Sequence, residues 1–252
     1  MHSTNYVIRF VLVMTCVVAL VLAAMATLLQ PIHKANEALY NKRGIIQAVE
    51  TKLPKPVSEM TDKEVKDIFD SKVEQYVINT DGERLSEEEV VAAGYPGGQA
   101  ENIDMEKEKK KDPSNRLLPV FKYEKDGSDY FIFSVRGNGL WDAIWGNIAL
   151  ESNFNEVAGA TFDHKSETPG LGAEIKDNPN FREQFIGKEI FSEDGEFVSI
   201  TVRKGGAKDP DHEVDGISGA TITADGVTAM LENGLENYMS YISKNRPEKV
   251  KN

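Results

Sequence analysis

Residues 120–135, VFKYEKDGSDYFIFSV, carry the reading that decides the fold. Two runs rich in aromatic and β-branched residues, 120–123 and 130–135, flank Lys125-Asp126-Gly127-Ser128. Asp-Gly between such runs is a strong hairpin signal, because a tight turn needs left-handed backbone that Gly, and to a lesser degree Asp, adopts at low cost. Outward from this hairpin, 157–162 and 196–203 read as further strands and 180–185 as a short helix. Upstream, Thr61-Asp62-Lys63-Glu64 has the form of a capping box, and Val65, Ile68, Phe69 and Val73 follow at helical spacing. Ser86-Glu87-Glu88-Glu89 repeats the signal, and 94–112 reads as an exposed, charged loop. Near the end of the chain, Val227, Met230, Leu231, Leu235, Tyr238, Met239 and Ile242 form one apolar helix face, before a charged tail at 245–252. Hairpins with helices grouped around them predict an α+β fold on a mainly antiparallel sheet.

The N-terminal region has a different texture. Residues 10–29, FVLVMTCVVALVLAAMATLL, contain only Thr15 and Thr27 as polar side chains. As a helix this stretch is about 30 Å long, the thickness of a bilayer's hydrocarbon core. It exceeds the usual apolar run of a cleavable signal peptide and has no small-residue cleavage site just after it, so an uncleaved anchor is expected. Residues 33–50 read as a short helix ending near Gly44, and Pro54 and Pro56 suit a linker. The segments are therefore a tail (1–9), a transmembrane helix (10–29), a juxtamembrane helix and linker (30–60), a helical and charged-loop segment (61–115) and a domain core (116–252). Arg9 precedes the span, whereas Lys34, Lys42 and Arg43 follow it. That count favours a cytoplasmic domain, but long domains cross largely regardless of flanking charge, so composition leaves the side open.

The net charge of −12 argues against a nucleic-acid partner, which requires a basic surface. Cys16 is the only cysteine and lies inside the apolar run, which excludes an intrachain disulfide and a cluster held by four cysteines of this chain. His2, His33, His164 and His212 show no metal-ligand spacing. Redox chemistry here requires an organic cofactor.

Three segments are candidates for holding one. Residues 215–223, DGISGATIT, precede the last helix, and a helix N-terminus presents free amides and a partial positive charge suited to phosphate. Ser218, Thr221 and Thr223 supply hydroxyls, and Gly219 permits close backbone approach. The plain alternative is a helix cap on Thr223. Gly137-Asn138-Gly139-Leu140-Trp141 places glycines beside an indole on which a planar ligand can stack, or else marks a strand end with Trp141 and Trp145 in the core. Glu167-Thr168-Pro169-Gly170-Leu171-Gly172 is a turn-rich loop that can wrap a ligand or simply be a tight surface loop. Its Glu167 is a candidate general base or acceptor for a flavin ring N–H, whereas His164 reads as a surface histidine.

GNGLW, ETPGLG and SGAT, in that order, resemble the FMN-binding domain shared by the sodium-translocating NADH:quinone oxidoreductase and the Rnf complex. The single N-terminal anchor, the length and the charged insertion before residue 116 look most like the C subunit of the former. The resemblance implies one FMN per chain, joined through a phosphoester to Thr221 by a separate flavin transferase. It implies Gly139, Leu140, Trp141, Glu167, Thr168, Gly170, Leu171, Gly172, Ser218, Gly219, Ala220 and Thr223 as surroundings of the cofactor in the 116–252 core. It also implies the other subunits of the complex and membrane lipid as partners, and a bacterial inner-membrane location with the N-terminus cytoplasmic and the domain periplasmic. The Rnf subunit serving ferredoxin and NAD, or a membrane-tethered module without redox function, are the alternatives.

Overall fold

A computed structural model describes residues 3–247. His2 and residues 248–252 of the expected tail lie outside the described residues. The chain divides into two compact units, Met1–Tyr40 and Asn41–Asn252.

Helix α1 runs unbroken over Thr4–Gln47, through Pro31. In the first unit its apolar side chains, from Tyr6 to Ile32, are exposed. Thr27 returns its hydroxyl to the carbonyl of Ala23 at 2.9 Å, which satisfies a polar group within the apolar stretch. Among the described residues this is the one helix long and apolar enough to cross a membrane. The expected stop at Gly44 does not occur. Instead the Gly44 carbonyl accepts the Thr161 hydroxyl at 3.1 Å, and Ile45 and Ile46 beyond it are buried. The expected linker around Pro54 and Pro56 is packed too, because Leu53, Val57 and Met60 are buried.

In the second unit, α2 (Asp62–Lys72) and α3 (Glu87–Ala92) begin with the two capping boxes, on Thr61 and Ser86. β1 (Val73–Ile78), β2 (Leu118–Lys125), β3 (Ser128–Asn138), β4 (Ala143–Leu150) and β5 (Val157–His164) form one antiparallel sheet in sequence order. Asp126 and Gly127 have φ of 53° and 79°, so the β2–β3 turn uses the left-handed backbone expected of Asp-Gly. Strand alternation divides the hairpin between two cores. Val120, Phe133 and Val135 join the larger core, while Phe121 packs its ring 6.1 Å from Phe69 of α2.

The expected exposed loop at 94–112 is exposed over much of its length, but Tyr95, Ala100, Ile103 and Glu108 turn inward. It contains α4 (Met105–Lys110), and Glu108 is fully buried, receiving the Leu117 amide at 2.8 Å and the Tyr95 hydroxyl, with Lys111 at 2.8 Å. A buried carboxylate needs such partners, and of these only Lys111, three residues on, is visible in the local charge pattern.

Two short helices, α5 (Glu174–Asp177) and α6 (Pro179–Glu183), pack on β5. Of the expected strand at 196–203 only β6 (Thr201–Arg203) forms, in a parallel pair with β7 (Glu213–Asp215). The larger core is closed by α7 (Thr221–Glu236) and α8 (Met239–Asn245). The single C-terminal helix expected from the apolar face is broken at Tyr238, whose buried hydroxyl lies 3.1 Å from the Pro119 carbonyl and 3.0 Å from that of Ser134. Both halves keep the face inward: Val227, Met230, Leu231, Leu235 and Ile242 are buried.

Candidate functional site

The three candidate segments meet at the start of α7. β3 ends at Asn138, and the turn that follows is closed by the Gly139 amide on the Asp142 carbonyl at 2.8 Å. This turn projects Leu140 and Trp141 outward, at 47% and 67% exposure. Trp141 is therefore not a core residue. Trp145, in β4, is half-buried with the Arg136 guanidinium 5.3 Å from its ring.

Glu167 ties the segments together. It is buried, and its Oε1 accepts the Trp141 amide at 2.9 Å while its Oε2 accepts the Thr223 hydroxyl at 2.7 Å. Its own amide donates to Nδ1 of His164 at 3.1 Å, which gives that half-buried histidine a local structural role. Thr168 then receives the Trp141 indole N–H at 3.2 Å, fixing the exposed ring.

The glycines have a matching purpose. A Cβ on Gly139 would stand 2.5 Å from Oε1 of Glu167, and one on Gly172 would collide with its Oε2 and stand 2.6 Å from the Thr223 hydroxyl. These glycines close around the carboxylate. The glycines beside Trp141 read as room for a planar ligand; at Gly139 that room is filled by Glu167. With both oxygens engaged and the side chain buried, Glu167 is committed inside the protein. The contacts of its carboxylate among the described residues are the Trp141 amide and the Thr223 hydroxyl.

The hydroxyls of DGISGATIT differ sharply. Thr223 sits in the first turn of α7, is 1% exposed and bonds to Glu167. Thr221 is the first helical residue and is half-exposed, and its hydroxyl holds no hydrogen bond among the described residues. Ala220 is the N-cap residue, and no side chain caps the helix. The amides of Thr221, Ile222 and Thr223 precede the first intrahelical bond, from the Ala224 amide to the Ala220 carbonyl at 2.9 Å. The cap expected of Thr223 is thus absent, since its hydroxyl goes to Glu167.

Each of the three segments exposes apolar side chains: Leu140 and Trp141, Leu171 at 41% exposure, and Ile222 at 58%. A Cβ on Gly219, whose φ is 77°, would stand 2.8 Å from Leu171 Cδ2, so the SGAT and ETPGLG segments touch there. An open cleft of about 300 Å³ is lined by Ser218 together with Gly170, Asn178, Gln184 and Asp215. Gln184 belongs to none of the three motifs, yet it receives the Asp215 amide at 2.7 Å and so anchors the start of the loop. No group of acidic, histidine or cysteine side chains suited to a metal occurs among the described residues.

Comparison with known proteins agrees with this geometry. The FMN-binding domain family matches residues 139–236, which take in 139–141 of the first segment and the whole of the other two. The C subunit of the Na(+)-translocating NADH-quinone reductase from Pseudomonas aeruginosa is 31% identical over 266 residues, covering 96% of this chain and 97% of that protein. The chain belongs to the NqrC family, the C subunits of Na+-translocating NADH-quinone reductases. The Haemophilus ducreyi member is 27% identical, over 96% of this chain and 94% of its own length. Among solved structures, the Parabacteroides distasonis member aligns at a TM-score of 0.72 and 32% identity, covering 89% of this chain and 98% of that one. NqrC from Shewanella oneidensis aligns at 0.64 and 28%, over 84% and 98%. As a member of the NqrC family, this chain has an FMN-binding domain on the antiparallel sheet and an N-terminal apolar helix suited to a membrane anchor.

Proposed function

We propose that this protein relays electrons through FMN held covalently, by a phosphoester to Thr221, within a sodium-pumping respiratory complex. The observation that carries the attachment site is the contrast between two hydroxyls in one helical turn. Thr223 is buried and bonded to Glu167, whereas Thr221 is half-exposed at an uncapped helix start.

The residues present suit the group. Amides ahead of the first intrahelical bond, with the helix dipole behind them, favour the negative charge that a phosphodiester keeps. Leu140, Trp141, Leu171 and Ile222, exposed on the three segments that meet at the start of α7, offer apolar surface to a flat aromatic system. Bound FMN supplies the redox chemistry, taking up and passing on electrons singly or in pairs. The protein's part is to hold the acceptor hydroxyl outward, to keep the Trp141 indole oriented through Thr168, and to lock the site from behind through Glu167.

A separate flavin transferase installs the cofactor, the remaining subunits supply and remove electrons, and the domain lies on the periplasmic side of the bacterial inner membrane. Co-expression with a flavin transferase should give a band that fluoresces under ultraviolet light on a denaturing gel, and a colourless band sinks the covalent link. Protease added to intact spheroplasts should digest the domain alongside a periplasmic control; survival of the domain contradicts the assigned side.

A further inference from the structure

We infer that Glu167 is a positioning residue that selects which threonine accepts the flavin phosphate. This inference rests on the attachment at Thr221 proposed above.

Thr221 and Thr223 offer the same nucleophile two residues apart, in the same turn of α7. Residue type therefore cannot separate them, and the surroundings must. Thr223 directs its hydroxyl proton to Oε2 of Glu167 at 2.7 Å, and the pair is enclosed by Gly172. A hydroxyl held inward in this way is buried, its oxygen shielded from an incoming phosphate. Oε1 of the same carboxylate takes the Trp141 amide, so the acceptor is fixed from a second direction. Nothing comparable engages Thr221 among the described residues.

The reaction at stake is a transfer of FMN from a flavin adenine dinucleotide donor bound to the transferase. The pyrophosphate P–O–P bond breaks, a bond from the FMN phosphorus to the threonine oxygen forms, and AMP leaves. The hydroxyl proton passes to a base of the transferase, and no electrons are transferred. Glu167 touches none of the reacting atoms when Thr221 is the acceptor. Its effect is to withhold the alternative oxygen and to pin the helix turn that presents the correct one.

The test maps the position of the flavin, which a purely architectural role would not move. Wild type, E167Q, T221A and T221A/E167Q are co-expressed with the transferase, and tandem mass spectrometry locates the adduct. Gln preserves the side-chain volume and can keep an oxygen on the Trp141 amide, while its amide group faces Thr223 as a donor, not an acceptor. Wild type should carry flavin on Thr221 alone and T221A should carry none. T221A/E167Q should carry it on Thr223, and E167Q alone should carry a detectable share of its flavin on Thr223, where wild type carries none.

Selection by Glu167 is overturned if T221A/E167Q melts like wild type yet stays unlabelled, or if T221A alone is labelled on Thr223. Should the double variant fail to fold, E167Q decides: reduced labelling confined to Thr221 overturns the inference. Flavin on Thr223 in wild type, or no covalent flavin at all, instead removes the Thr221 reading on which the inference rests.

Discussion

Thr223 donates its hydroxyl to Oε2 of Glu167 across 2.7 Å, joining residues 56 positions apart in the chain. This bond brings the ETPGLG loop to the first turn of α7, and the Trp141 amide on Oε1 adds the turn after β3. The site is therefore one buried carboxylate with its partners, from which the exposed groups project.

Removing the donor should be costly. Thr223→Val keeps the shape but leaves a buried carboxylate oxygen unpaired, which should lower stability by about 1–3 kcal/mol. Denaturant unfolding of the detergent-solubilised chain, followed by tryptophan fluorescence, measures it. An unchanged midpoint would mean that the bond is not part of the folded protein in solution.

The two glycines of the loop should respond for different reasons. Gly172→Ala drives a methyl group into Oε2 of Glu167 and should destabilise by about 1–3 kcal/mol through overpacking. Gly170→Ala has open space around it but a φ of 72°, so its cost is conformational, about 1–2 kcal/mol. Paired with Glu167→Ala, the Gly172 defect should shrink while the Gly170 defect stays, a contrast that double-mutant cycles resolve.

Trp141 should matter little to folding. Its side chain is largely exposed, so Trp141→Ala should shift stability by less than about 0.5 kcal/mol. The absorption and fluorescence of attached flavin should change in the same variant, because Glu167 ties the turn that carries the exposed indole to the first turn of α7, where Thr221 lies. A spectrum identical to wild type would remove Trp141 from the cofactor's neighbourhood.

Acid should loosen the segment that leads into the site. The Arg203 guanidinium, aided by the amides of Lys208 and Asp209, holds the Glu213 carboxyl at about 2. An unfolded glutamate titrates at roughly 4.3. The folded value is the lower one, so Glu213 contributes stability above that unfolded value and loses it as pH falls toward 2. Glu213→Gln should flatten the fall of melting temperature between about pH 5 and pH 2. An unchanged slope would assign the acid sensitivity to other carboxylates.

Much of the fold was legible because it rests on local chemistry. The Asp126-Gly127 turn, the capping boxes on Thr61 and Ser86 and the apolar face of α7 each depend on residues within a few positions of one another. The features that were not legible depend on distant partners. Val73 looks like the last apolar residue of a helix face, yet it opens β1 opposite Tyr123. Gly44 looks like a helix stop, yet it is where α1 lies against Thr161. Glu108 belongs to a run that reads as solvated, yet it satisfies a buried amide. The site shows the same division. Its three segments were recognisable, but the buried link from Glu167 to Trp141 and Thr223 has no signature in spacing, and it reverses the meaning of Gly139 and Gly172.

Everything proposed for this site depends on the phosphoester at Thr221, and locating the adduct decides it. Purified after co-expression with a flavin transferase, the chain is digested and sequenced by tandem mass spectrometry. The expected result is the mass of one FMN less one water on Thr221, its retention in Thr221→Ser, and its complete loss in Thr221→Ala. An adduct on any other residue of the wild-type chain, or none at all, would show that Thr221 is not the attachment site.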